Sequence, residues 1–515
     1  MSTLTIFAST VPADTAPASG DVAADAVRTT RTAVPTAGIA APPAAPSPAA
    51  AVPATRAPEG RRIPAVLGAD LEVPVRGGRL APYANLDYAA SAPCLEPVSA
   101  AVAAALPAYS SVHRGAGYAS QLTTARYERA RHTVRAFAKA RPDDAVVFTR
   151  NTTDATNLLA RCLPEGTTVV VFDTEHHASL LPWRHAVRLA PPAFPGEAVR
   201  AADRALAEIE GPKLLVVTAA SNVTGELWPI AALAHIAHRH GARVLVDAAQ
   251  LVPHRPINLT ALDLDYVVFS GHKLYAPFGT GALIGRPDWL SGAEPYLRGG
   301  GAVRAVNAPQ TGGTDGWEVD WHDDPEARHE AGTPNVLGAV ALAAACDALT
   351  ATGWTALIHE EERLLARLRA GLAGIEGVRE LSLWDPAHPR VGIVSFTVAG
   401  RTAREVAEIL SAEYGIGVRD GKFCAHPFVR HLLDAHRPEA HPQNAHRPDT
   451  HLQNAHRPDT HLQNTHVQDT HRPDTADGGC DDGTASAVRA SIGIGTTDEH
   501  VDRLVSALRE IAARR

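Results

Sequence analysis

At 515 residues, 45% hydrophobic and 20% charged, the chain is long enough to build more than one folded unit around sizeable cores. A formal net charge of -8 leaves no basic stripe for a phosphate backbone, which argues against nucleic acid as a partner. No apolar run approaches the roughly 20 residues of a spanning helix, which argues against the membrane. Cys94, Cys162, Cys346, Cys424 and Cys480 are few, odd in number and without metal-ligand spacing, so they read as free thiols in a reducing cytoplasm. The opening MSTLTIFASTVPADTAPASG has no basic region before its short apolar patch and does not read as a secretory signal.

Residues 1–62, with AAPPAAPSPAAAVPA and almost no large apolar side chain, cannot offset the entropy of ordering and are expected to form a disordered tail. From Ile63 the texture changes. Residues 63–98 read as a segment packing with a small C-terminal domain, 99–344 as a large domain and 345–515 as the small one. In the large domain AVVFT (Ala145 to Thr149), TVVVFD (Thr168 to Asp173), KLLVVT (Lys213 to Thr218), RVLVDAA (Arg243 to Ala249) and DYVVFS (Asp265 to Ser270) are short and nearly continuously apolar. Such runs suit strands buried on both faces, hence an α/β fold with a large, mainly parallel sheet. Helix patterns separate them, such as PIAALAHIAHRHG with Pro229 at its start and Gly241 at its end. After residue 345, GWTALIHEEERLLARLRAGLAG, RVGIVSFTVAG, TAREVAEILSAEYGIGVRDG and AVRASIGIGTTDEHVDRLVSALREIA alternate helix and strand as a smaller α+β unit.

Residues 435–475 break this pattern with a ten-residue repeat, AHRPDTHLQN and its variants, that sets histidine at every fifth position from His436 to His471. Its period matches neither helix nor strand, proline recurs and no apolar face exists, so it reads as a low-complexity insertion. A metal-gathering arm is the sharper alternative.

The stretch YVVFSGHKLYAPFGTG places Lys273 directly after a strand and before a glycine-rich turn, where open α/β sheets collect reactive groups. Asp247 ends another buried run, with Gln250 three residues on, and a carboxylate so placed needs a cation to remain ionised. In RNTTDATNLLARCL, Thr152 and Thr153 open a helix and offer an anion site, although capping is the commoner role of such a pair. His176 and His177 follow a third strand, as stacking rings or as capping or core histidines, while Ser270 and His272 flank the lysine. Amine, carboxylate, phosphate cradle and stacking ring together describe a pyridoxal phosphate site with Lys273 as the Schiff base, which makes 99–344 the cofactor-binding domain.

NLDYAASAP, VHRGAGYAS, RNTTDATN, EHHASLLPW, SNVTGE, VLVDAAQ, SGHKLYAPFGTG, EAGTPN, RDGKFCAHP and VRASIGIGTT occur in that order between Leu86 and Ala512. With them the sequence resembles the class V aminotransferase group of fold type I pyridoxal phosphate enzymes, and within it the cysteine desulfurases and selenocysteine lyases of the shorter-loop type. The resemblance implies that Lys273 carries the cofactor, Asp247 holds its ring nitrogen, Gln250 its phenolic oxygen and Asn222 lies near that oxygen. His176 would stack on the ring; Thr152, Thr153, Ser270 and His272 would hold the phosphate. Thr333 would reach the phosphate of a partner subunit, implying a homodimer. On the substrate side it implies Arg489 as the grip on a carboxylate, although a lone arginine in a strand could equally form a structural ion pair, with Asn222, His113 and Arg419 also on that side, and Cys424 as the nucleophile. The expected reaction takes sulfur from L-cysteine as a Cys424 persulfide, frees alanine and hands the sulfur to an acceptor protein. Where the family carries two histidines before this cysteine, the chain has Lys422 and Phe423: an ammonium favours the thiolate, but a proton carrier is lost. Two alternatives stay open: a class V aminotransferase, epimerase or lyase in which Cys424 is structural, and a histidine-repeat binding arm on an idle scaffold. No metal is expected at the site.

Overall fold

The computed structural model describes residues 63–307, 316–435 and 486–514. The expected tail, the histidine repeat beyond Ala435 and Cys480 lie outside the described residues.

The five apolar runs are strands, and two further strands complete a seven-stranded sheet. In chain order they are β1 (Ala145–Thr149), β2 (Thr168–Phe172), β3 (Ala186–Leu189), β4 (Lys213–Thr218), β5 (Arg243–Asp247), β6 (Tyr266–Ser270) and β7 (Gly281–Gly285). Their spatial order is β1-β7-β6-β5-β4-β2-β3. β7 runs antiparallel to both its neighbours, while β3, β2, β4, β5 and β6 pair in parallel. Successive side chains alternate between two cores: Val244 and Val246 join Val170, Leu215 and Val267 on one face, and Leu245 joins Val171, Val216 and Val268 on the other. Each such side chain is fully buried, and burial of that kind stabilises by about 1.5–3 kcal/mol per residue. Helices cover both faces, as continuous apolar strands require. Among them Ile230–Arg239 starts after Pro229 and ends before Gly241, whose φ of 65° suits glycine.

The C-terminal part holds a four-stranded antiparallel sheet of β8 (Val378–Leu381), β9 (Ile393–Val398), β10 (Arg419–Gly421) and β11 (Ala487–Ser491), in the order β8-β9-β11-β10. Leu364, Leu368 and Leu372 of helix Trp354–Ala373 and Val501, Leu504 and Leu508 of helix Asp498–Ala513 pack on Phe396 and Val488 of this sheet. The segment near residue 85 is tied to the same unit. Ala84–Asn85 pairs in parallel with Ile416–Gly417, and Asp87 bridges to Ser491. Among the described residues no single helix is long and apolar enough to cross a membrane.

Candidate active site

Five strands of the large sheet end at one cavity. The residues just beyond or at the C-terminal ends of β1, β2, β4, β5 and β6 supply Thr152, His176, Asn222, Asp247 and Lys273, and the small sheet supplies Arg419 and Arg489. The cavity measures about 430 Å³ and is also lined by Thr153, Gln250, Ser270, His272, Phe423 and Cys424. Crevices at the carboxyl ends of strands are where open α/β sheets bind ligands.

Lys273 follows a tight turn in which the backbone leaves no room for a side chain at Gly271: a Cβ there would lie 2.7 Å from the carbonyl oxygen of Thr280. Burial lowers the Lys273 amine to about 8, with the opposing pull of Asp247 and the push of Arg489 as smaller effects. Asp247 is buried, and its two oxygens accept from Ser179 Oγ (2.7 Å) and the Ala249 N–H (3.0 Å), both neutral donors. His176 accepts the Ala178 N–H at Nδ1 (3.0 Å), and burial, then Lys273, lowers it to about 3, so the ring is neutral. His272 is lowered to about 4 by burial and by Lys273. Gln250 donates from Nε2 to the Ala89 carbonyl (2.8 Å).

Asn151 caps helix Thr152–Cys162, its side chain accepting the Asp154 N–H. Thr152 donates its N–H to Ser270 Oγ (2.8 Å) and shares a second hydrogen bond with it through its hydroxyl (2.7 Å), while Thr153 is exposed at the cavity. This joins the helix start to the lysine strand, with the positive end of the helix facing the cavity.

On the opposite wall, Arg489 and Arg419 stand directly across from each other in β11 and β10. The Arg489 side chain is 4% exposed; its Nη2 lies 3.2 Å from Asp87 Oδ1 and its Nη1 donates to the Asn222 carbonyl (3.0 Å). Burial pulls this guanidinium below its ordinary value, Asp87 opposing. Phe423 lies over it, 5.0 Å from guanidinium carbon to ring centroid. Phe423 and Cys424 both have φ of 53°, a left-handed backbone that costs L side chains about 1–2 kcal/mol each. The loop is held by the Asn222 amide, which donates to the Phe423 carbonyl (2.7 Å), and by the His177 N–H, which donates to the Cys424 carbonyl (2.8 Å). Cys424 itself is exposed, in contrast to the buried Cys162 and Cys346.

The structure thus gathers Lys273, Asp247, Gln250, His176, Asn222, Thr152, Thr153, Ser270, His272, Arg419, Arg489 and Cys424 around one space. It places His113 and Thr333 elsewhere on the chain: His113 pairs with Glu128 at 2.8 Å, and Thr333 is exposed. Three residues in contact with the site's groups were not singled out from the sequence. Ser179 bonds Asp247, Asp87 bonds Arg489, and the fully buried Glu175 is raised well above the usual carboxyl range by burial and by its proximity to Asp247. All three lie inside quoted motifs, EHHASLLPW and NLDYAASAP, which is the signal that was available.

The profile of the aminotransferase class-V family matches residues 84–504. The chain is 38% identical over 333 residues to a cysteine desulfurase of Dickeya dadantii (strain 3937), covering 62% of this chain and 77% of that protein. It is 37% identical over 361 residues to a cysteine desulfurase of Klebsiella pneumoniae (strain 342), covering 68% and 86%. Among solved structures, the apo cysteine desulfurase of Thermococcus onnurineus NA1 superposes with a TM-score of 0.66 at 28% identity, over 84% of this chain and 95% of that one. The Escherichia coli cysteine desulfurase CsdA superposes with 0.62 at 30% identity, over 84% and 94%. The chain belongs to the aminotransferase class-V family, as a pyridoxal phosphate-dependent enzyme similar to the cysteine desulfurases.

Proposed function

We propose that this protein is a cysteine desulfurase that takes sulfur from L-cysteine onto Cys424 and releases alanine. The observation that carries the reading is the meeting of Lys273 and Asp247, from the large sheet, with Arg489 and the exposed Cys424 in one cavity. The residues fit pyridoxal phosphate. Asp247 is a buried carboxylate whose two hydrogen-bond donors are neutral, so a pyridinium N–H would give it a directly bonded cation. The start of helix Thr152–Cys162, with Thr153, Ser270 and His272, suits the phosphate; the neutral His176 ring suits stacking, and the Gln250 and Asn222 amides suit the phenolic oxygen.

Bound there, pyridoxal phosphate supplies a sink for the electron pair left on the substrate's α-carbon. Arg489, with Arg419 opposite, binds the substrate carboxylate and orients the α-carbon. Lys273, lowered to about 8, takes the α-proton near neutral pH. Cys424 as thiolate attacks the substrate sulfur: the S–S bond forms, the C–S bond breaks with its electron pair left on carbon, that β-carbon takes a proton, and Lys273 returns a proton to the α-carbon so that alanine departs. Exposure of Cys424 leaves the persulfide open to a sulfur-acceptor protein.

The same reading makes the protein a homodimer, with Thr333 serving the partner's phosphate; the exposed Leu297 lines, with Ala331 and Pro334, a depression beside it that suits a second copy. The free thiols suit a cytoplasmic setting, where a nucleophilic cysteine stays reduced. Phe423, in place of a histidine and stacked on Arg489, favours a second reading, a class V aminotransferase, epimerase or lyase without persulfide chemistry. Adding L-cysteine and a reductant to the purified holoenzyme separates them. Alanine and sulfide in equal amounts support the desulfurase; a visible spectrum that changes only on the way to a keto-acid-dependent amino transfer supports the other.

A further inference from the structure

We propose that Asp87 is a charge-balancing positioning residue: from behind Arg489 it offsets the guanidinium, so that the site binds free carboxylates weakly and holds one firmly only when the same molecule is also anchored through its amino group. This rests on the reading of Arg489 as the partner of the substrate carboxylate.

Arg419 and Arg489 are opposite each other across antiparallel β10 and β11, hence on one face of the sheet, and both line the cavity. Like charges so placed repel, which primes the face for an anion. With 4% of its side chain exposed, Arg489 also requires a counter-ion before any ligand arrives, and Asp87, 3.2 Å from Nη2, supplies it. Asp420 turns instead toward Arg404, at 3.8 Å. Arg489 nonetheless lines the cavity, so a ligand there can meet its guanidinium.

Asp87 is built into this position. Its N–H donates to Asn85 Oδ1 (3.0 Å), it bridges to Ser491 of β11, and the Ala89 N–H donates to Ser491 Oγ (2.9 Å). Ala89 and Ala90 line the cavity whereas Asp87 does not, so its carboxylate balances Arg489 without occupying the place of the substrate. Asp420 being turned to Arg404, the two facing guanidiniums, Arg489 and Arg419, are offset by Asp87 alone, so an incoming anion meets one excess positive charge rather than two. Removing the charge of Asp87 leaves both guanidiniums without a counter-ion, and any small carboxylate would then be drawn in more strongly.

The test uses the holoenzyme and [1-13C]propionate, a carboxylate with no amine, with binding read by NMR line broadening. Asp87→Asn, which keeps an oxygen for Nη2 and loses the charge, should bind propionate about tenfold more tightly, the scale of one partly screened unit charge a few ångströms away. Asp87→Glu, which keeps the charge, should show no such gain. Unchanged or weaker binding in Asp87→Asn overturns the proposal, as does an equal gain in Asp87→Glu. Failure of both variants to accumulate as folded holoenzyme also overturns it, because Asp87 would then be a counter-ion the fold cannot lose. Arg489→Ala keeps the two readings apart: propionate affinity retained there means Arg489 is not the carboxylate partner, whereas affinity lost there with no gain in Asp87→Asn sinks the role of Asp87 alone.

Discussion

Asp247→Asn removes a charge while keeping the volume. The asparagine Oδ1 can accept the Ala249 N–H as Asp247 does, and the Ser179 hydroxyl can turn to accept from Nδ2, so the buried hydrogen bonds survive and the fold with them. What disappears is the anion expected to keep the cofactor's ring nitrogen protonated. At a contact of ~3 Å and an effective dielectric of ~20, one charge is worth about 5 kcal/mol, an upper bound because the Lys273 amine lies in the same field. Half to most of that energy corresponds to a fall of about 100- to 1,000-fold in kcat/KM for alanine formation. The residues expected to hold the phosphate, Thr152, Thr153, Ser270 and His272, are separate from Asp247, so cofactor content should stay near that of the parent. The assay is alanine release from L-cysteine, normalised to cofactor measured by absorbance. A variant that holds the cofactor and turns over at the parental rate would refute the role given to Asp247.

Cys424→Ser should still bind L-cysteine, seen as a change in the visible spectrum, yet lose at least about 100-fold in alanine formation; Ser at Cys162 or Cys346, both buried, should leave turnover largely intact, and parental turnover in Cys424→Ser would move the protein to the second reading. Because the Lys273 amine is lowered to about 8, the rate at which the cofactor-free protein takes up pyridoxal phosphate should rise as pH increases through about 8 and level off above it; a rate flat between pH 6 and 9 would contradict a free amine as the reacting form. Glu175, raised well above the carboxyl range by burial, is protonated when folded and ionised when unfolded, so its contribution is fully present below the unfolded value of about 4.5 and is lost as pH rises through the folded one. Glu175→Gln should therefore resist urea better than the parent, with an advantage larger at pH 8 than at pH 5; an advantage independent of pH would show that Glu175 is not the protonated acid.

The parts of this fold that were legible from the sequence are those in which local pattern and tertiary role coincide. β5 is RVLVD because both faces of a central parallel strand are buried, so its apolar run is unbroken until Asp247 at the cavity. The two strands that were not anticipated lack that signature. Ala186–Leu189 is an edge strand with its first three residues exposed, and Gly281–Gly285 is bounded by glycines that packing demands, a Cβ on Gly281 meeting the Phe269 carbonyl oxygen at 2.7 Å. The same division runs through the site. Lys273, Asp247 and Thr152 could be found because each belongs to a strand end or helix start that its neighbours announce. Asp87 meets Arg489 across 402 residues of sequence, and nothing near either one specifies the other. Phe423 is the harder case: its identity was visible as a departure from the family pattern, but its consequence was not, because the ring reaches Arg489 only through a left-handed turn at Phe423 and Cys424. Phe423 stacks on the arginine proposed to bind the substrate carboxylate and precedes the thiol proposed as nucleophile, so the residue that departs from the family touches one proposed group and adjoins the other.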